Sequence, residues 1–199
     1  IYTLSLHDAL PIFDSLRNRL EESIEANDYV SIYATFGIES EKNEDGSLTL
    51  MDYKVPKAGN LLLSDIGLSE GELFKNVSKV VGDVDLDDSE LTSFYNLKSV
   101  GGNVSLNMSK LQDFGELESI GGNLSFNEIW DKPERAARVS SLKNIREVGG
   151  ELDIIVSNID DLGALQSVGG DCFLCKSKVR TLKNLEKVGG TLDVQKTNR

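Results

Sequence analysis

The 199-residue sequence predicts a repeat solenoid: a parallel β-sheet with one short strand per 20-residue unit, 3₁₀-like or extended return segments, and a small α+β cap on the N-terminal side. Three observations lead there. Val-Gly-Gly-like steps end at Gly102, Gly122, Gly150, Gly170 and Gly190, with Val80-Val81-Gly82 as a degenerate earlier copy, so successive spacings are 20, 20, 28, 20 and 20. Two apolar positions separated by one follow each step, and apolar residues at every third position then lead into the next.

The strand comes from the first apolar set: Val84 and Leu86, Val104 and Leu106, Leu124 and Phe126, Leu152 and Ile154, Cys172 and Leu174, Leu192 and Val194. Alternation with period two is a strand with one face buried. The return segment comes from the second set, as in Leu91, Phe94, Leu97 and Val100, repeated at Leu111, Phe114, Leu117 and Ile120 and at Ile159, Leu162, Leu165 and Val168. A spacing of three suits a tight or extended run better than an α-helix, which mixes three and four. The paired glycines are expected where the chain turns sharply, at positive φ. A 20-residue unit cannot bury its own apolar edge, so units must stack. Gly59, followed by Asn60-Leu61-Leu62-Leu63, reads as one more copy 23 residues before Gly82, which gives about seven units over residues 57–199.

Val104-x-Leu106-x-x-Ser109-x-Leu111 resembles the strand consensus of the leucine-rich repeats, Leu-x-Leu-x-x-Asn-x-Leu. The double glycine is also similar to the L domains of receptor ectodomains and to short-repeat bacterial and phage leucine-rich proteins. The resemblance implies a right-handed solenoid that recognises protein or peptide. Where the family has an inward Asn or Cys, this chain has Ser89, Ser109, Ser157, Ser177 and Thr197. A hydroxyl at that position is expected to bond the backbone of neighbouring turns, as the family's asparagine ladder does.

Residues 13–56 do not follow the repeat. Leu16, Leu20 and Ile24, with charged residues between them, suit an amphipathic helix. Tyr29 to Glu39 and Ser47 to Tyr53 read as two strands around a Lys42-Asn43-Glu44-Asp45-Gly46 turn. This segment is expected to be a cap or the tail of another domain. Residues 1–12, Ile-Tyr-Thr-Leu-Ser-Leu-His-Asp-Ala-Leu-Pro-Ile, resemble the in-frame translation of a common short-read sequencing adapter and are set aside as non-native. The native N-terminus is then missing, so localisation stays open between cell surface or secreted and cytoplasmic.

With 33 Asp and Glu against 21 Lys and Arg, the chain carries a formal net charge of −12. Such a surface repels nucleic-acid phosphates and anionic lipid heads. No apolar stretch approaches the roughly 20 residues a membrane helix needs, so membrane insertion is not expected. Setting aside residues 1–12 removes His7, the only histidine. That excludes Ser-His-Asp and Cys-His arrangements and His-ligated zinc from the remaining residues. The Gly-Gly pairs precede strands, whereas a phosphate loop follows one. Cys172-Phe173-Leu174-Cys175 imitates a redox motif, but on a strand the two Cα atoms lie roughly 10 Å apart and the side chains face opposite ways. No spacing matches a calcium loop. The Asn-x-Ser acceptor patterns, such as Asn103-Val104-Ser105, are by-products of an alternating strand face. No catalytic residue, metal or cofactor is expected.

The outward strand positions form the candidate site, on what is expected to be the concave face. They are Asp83, Asp85 and Asp87; Asn103, Ser105 and Asn107; Asn123, Ser125 and Asn127; Glu151, Asp153 and Ile155; Asp171, Phe173 and Cys175; and Thr191, Asp193 and Gln195. This strip is rich in carboxylates and amides, with an apolar patch at Ile155, Phe173 and Cys175. It is either a solvated sheet face or a surface for a basic protein or peptide, with Phe173 as anchor and carboxylates steering encounter. The eight extra residues around Glu128 to Arg138 contain Trp130, the only tryptophan, with Arg135 and Arg138. Trp130 either covers the interrupted repeat or marks an interface.

The reading is a non-catalytic protein- or peptide-binding module. Its alternatives are a surface adhesin or glycan-binding module, and the substrate-recognition part of a larger enzyme. Thr191 to Arg199 starts a strand with no polar capping unit, so self-association through that end is also expected.

Overall fold

The computed structural model describes residues 6–54, 69–126, 139–155 and 157–195. The fold is β-rich and repeat-like, mostly parallel sheet with few helices. Helices α1 (Leu6–Glu25) and α2 (Tyr29–Thr35) come first, followed by β1 (Ser40–Lys42), β2 (Leu48–Leu50) and β3 (Tyr53–Lys54). Helix α3 (Glu70–Phe74) and β4 (Val77–Val80) lead into a series of two-residue strands. These are β5 (Val84–Asp85), β6 (Ser99–Val100), β7 (Val104–Ser105), β8 (Ser119–Ile120), β9 (Leu124–Ser125), β10 (Glu147–Val148), β11 (Leu152–Asp153), β12 (Ser167–Val168), β13 (Cys172–Phe173), β14 (Lys187–Val188) and β15 (Leu192–Asp193).

Each coil contributes two strands, not the one expected. Those before the glycines form one sheet, β1-β2-β4-β6-β8-β10-β12-β14, and those after them form a second, β3-β5-β7-β9-β11-β13-β15. All pairings are parallel except the β1–β2 hairpin. Ser99 is half-exposed and Val100 is buried, but an alternation two residues long is too short to register as a period.

The glycine pairs lie between the two sheets, and positive φ is not the reason for them. Among the described residues the glycines with positive φ are Gly37, Gly46, Gly115 and Gly163. At the first glycine of each pair the constraint is the neighbouring coil. A Cβ on Gly101 would overlap the Val81 carbonyl oxygen, and on Gly121, Gly149, Gly169 and Gly189 it would overlap the carbonyl of the equivalent glycine one coil earlier. With no side chains there, the backbones come close enough for Gly102, Gly122, Gly150, Gly170 and Gly190 N–H to reach the preceding coil's carbonyl at 2.8–2.9 Å.

Left-handed residues occupy two other corners. The first holds Asp88, Met108 and Lys176, and the second holds Tyr95, Gly115, Lys143, Gly163 and Lys183. At the second corner a Ser, Thr or Asp two residues earlier caps the turn. Ser93 accepts from Tyr95 N at 3.0 Å, Asp113 from Gly115 N at 2.8 Å, Ser141 from Lys143 N at 3.1 Å, Asp161 from Gly163 N at 2.9 Å and Thr181 from Lys183 N at 3.2 Å.

Two coil types alternate at this corner. In one, Gly115 or Gly163 lets the next N–H, from Glu116 or Ala164, donate to the preceding coil's Tyr95 or Lys143 carbonyl at 3.0 and 2.7 Å. In the other, an Asn side chain spans the step: Asn96 to Lys75 O at 2.8 Å, Asn144 to Gly115 O at 3.3 Å and Asn184 to Gly163 O at 2.7 Å. The return segment, expected to be 3₁₀-like or extended, is a sequence of corners joined by short extended pieces. No 3₁₀ helix occurs among the described residues, and Ser93 and Ser141 bridge Asp113 and Asp161. The period of three arises because one residue points inward from each side of a turn.

The core is a set of columns: Val80, Val100, Ile120, Val148 and Val168; Val84, Val104, Leu124, Leu152 and Cys172; and Val77, Leu97, Leu117, Ile145 and Leu165, all buried. Tyr53, Phe74, Phe94, Phe114 and Phe126 stack at successive centroid separations of 4.6, 5.7, 5.7 and 5.9 Å. The buried serines do not form the expected ladder. Ser177 donates to Leu174 O at 2.7 Å within its own coil, Ser89 donates to the Glu70 carboxylate, and Ser109 Oγ is unpartnered. Thr197 lies outside the described residues.

The N-terminal segment departs from expectation in two ways. Residues Tyr29–Thr35 form helix α2, not a strand. Asn27, at φ 52°, ends α1, and Asp28 caps α2 by accepting from Ser31 N and Oγ at 3.2 and 2.6 Å. Their aromatic and β-branched content favours strand locally, but Ile32 and Tyr33 are buried and Tyr33 donates to Leu73 O at 2.9 Å. The parallel ladders also begin earlier than expected. Leu48–Leu50 and Tyr53–Lys54 pair with β4 and β5, so the first coil includes residues assigned to the cap. The copy expected at Gly59 lies outside the described residues, and α1 begins within the adapter-like segment.

Gly149→Ala is expected to destabilise the fold by about 1–3 kcal/mol, because the new Cβ forces two coils apart. Ser167→Ala, on the outer face, should stay within about 0.5 kcal/mol. Urea denaturation of both variants checks this, and equal midpoints would contradict it.

Candidate binding surface

In the second sheet, alternation buries Val84, Val104, Leu124, Leu152 and Cys172 and turns the next residue outward. Parallel register then places Lys54, Asp85, Ser105, Ser125, Asp153, Phe173 and Asp193 side by side in one row. From Asp85 to Asp193 every member is half-buried. The structure thus brings together six expected site residues and adds Lys54, whose ammonium lies 3.9 Å from Asp85. Lys54 was missed because residues 53–54 were not assigned to the repeat.

Two residues further along each coil, Asp87 accepts from Asn107 N at 3.0 Å and Nδ2 at 3.1 Å, and from Ser105 Oγ at 2.6 Å. Ile155 and Cys175 hold the same position in later coils and are half-buried. Asn127, Trp130, Arg135 and Arg138 lie outside the described residues.

Many of the polar side chains also hold the backbone. Where an Asp or Asn holds the position that follows the glycines, its Oδ1 accepts from the equivalent N–H of the next coil; Glu151 interrupts the series. Asp52 takes Asp83 N at 2.8 Å, Asp83 takes Asn103 N at 2.6 Å, Asn103 takes Asn123 N at 2.9 Å, Asn123 takes Glu151 N at 2.8 Å and Asp171 takes Thr191 N at 2.5 Å. This is the inter-coil side-chain ladder, and it sits at the Asx position rather than at the serines. An Asp or Asn after most glycine pairs was the available signal. Within the row, Asp85, Asp153 and Asp193 each accept the N–H two residues on, from Asp87, Ile155 and Gln195, at 3.2, 3.1 and 2.9 Å. Each such carboxylate is held in one orientation by its own turn.

Cys172 sits in the core and Cys175 on the outer side, both as free thiols. Burial pushes the Cys172 thiol up to about 11. Among the described residues no cluster of His, Cys, Asp or Glu could hold a metal ion, and no helix is long and apolar enough to cross a membrane.

A thiol reagent near pH 8 should titrate one cysteine in the native protein and two in denaturant, and Cys175→Ser should abolish the native reaction. Reaction of Cys172 at the rate of an unfolded thiol would contradict this placement. Comparison with known proteins finds no matching family model, no matching curated protein and no matching solved structure.

Proposed function

We propose that the chain is a non-catalytic recognition module, a leucine-rich-repeat-type solenoid that binds an extended protein or peptide segment of basic character along the outer row of its second sheet. The supporting observation is the row itself, in which Asp85, Ser105, Ser125, Asp153, Phe173 and Asp193 are neighbours on successive strands. Parallel strands lie roughly 4.8 Å apart, so the seven-stranded sheet offers about 29 Å, the span of roughly nine extended residues. Its aspartates Asp85, Asp153 and Asp193 are already oriented by their own turns, which lowers the entropy lost on binding. A net charge of −12 speeds encounter with a basic partner and makes the rate salt-dependent.

A random-peptide selection against the full chain should enrich basic sequences. Their affinity should fall at least about tenfold in Ser125→Arg, which places a cation mid-row and leaves the circular dichroism unchanged. Peptides that bind Ser125→Arg as well as the parent would overturn the row as the site. Enrichment on a glycan array with no peptide binder would replace this reading with glycan binding.

A further inference from the structure

Resting on the recognition reading, we infer that the row contains one specific subsite, Asp153–Phe173–Asp193, which receives a single cationic side chain, arginine above all. Phe173 pairs in register with Asp153 on one side and with Asp193 on the other. Cys172 and Leu174 are buried, so Phe173 faces outward. An aromatic ring between two carboxylates roughly 4.8 Å to either side is suited to a planar cation. The ring face attracts the guanidinium by its quadrupole, and the carboxylates accept its N–H groups at the edges.

Each carboxylate spends Oδ1 on its own turn, Asp153 on Ile155 N and Asp193 on Gln195 N. No hydrogen bond to either Oδ2 occurs among the described residues, so an acceptor remains on each side of the ring. Half-buried Ile155 and Cys175 lie two residues further along the adjacent coils and supply an apolar floor for the arginine methylenes. The other half of the row lacks this combination. Asp85 already lies beside Lys54, 3.9 Å away, and its neighbour Ser105 donates to Asp87.

The test titrates the full chain with acetyl-Ser-Gly-Xaa-Gly-Ser-amide, where Xaa is arginine, its neutral isostere citrulline, or leucine, following backbone amide shifts by NMR. The arginine peptide should bind about fivefold more tightly than the citrulline peptide and shift the amides of residues 153–155, 173–175 and 193–195. Phe173→Leu should cut that preference, and so should Asp153→Asn with Asp193→Asn, which keeps the Oδ1 acceptors and therefore the turns. Equal binding of arginine and citrulline, or a preference that survives in both variants, overturns the subsite. If the leucine peptide binds the row at least as well as arginine, the subsite is overturned while peptide recognition stands. If none of the three peptides shifts a row amide, both fall.

Discussion

The contact on which the rest of the structure depends is the approach of successive coils at the first glycine of each pair. There the carbonyl of one coil occupies the space that a Cβ of the next would need, from Gly101 against Val81 to Gly189 against Gly169. Because no side chain intervenes, the ladder of hydrogen bonds continues across the corner. Gly121 N reaches Val100 O and Gly122 N reaches Gly102 O, both at 2.8 Å. The two sheets are thereby locked into one register, and the Asp and Asn residues that follow the glycines fall within reach of the next coil's amides.

Packing and polar satisfaction reinforce that register. The inward columns present like against like, and the aromatic run from Tyr53 to Phe126 keeps every centroid separation below 6 Å. At the second corner the turns carry their own caps, from Ser93 to Thr181. On the second sheet the same register that stacks Val104 under Leu124 stacks Ser105 under Ser125. The candidate surface is therefore the outward copy of the core, and its spacing is inherited from the glycine corner. At the far edge the pattern loosens, with Leu192 39% and Val194 46% exposed.

Much of this was legible in the sequence, because a 20-residue period forces equivalent residues into neighbouring positions. The inward positions of Val84 through Cys172 and the outward row from Asp85 to Asp193 follow from alternation alone. What was not legible depended on the neighbouring coil. Positive φ is a property of one chain, and it suggested a role for the glycine pairs, whereas an abutting carbonyl is a property of two. The serine positions were read through a resemblance, and the ladder lies instead at Asp83, Asn103 and Asn123. Tyr29–Thr35 has strand-like composition, yet Asn27-Asp28 is a helix stop followed by a helix start. The alternation of Gly115 and Gly163 with Asn96, Asn144 and Asn184 was present in the sequence, but its sense appears only when the carbonyl each one serves is known.

The proposed recognition along the second sheet requires that the row behave as one rigid surface, which returns to the glycine corner. Native-state hydrogen exchange at single-residue resolution tests this most directly. The amides of Gly102, Gly122, Gly150 and Gly170 should be as strongly protected as those of Val104 and Leu124, because they donate to a neighbouring coil at comparable distances. Corner amides exchanging at the rate of a free peptide, beside protected strands, would show that the sheets are held independently and would contradict the close approach of the coils.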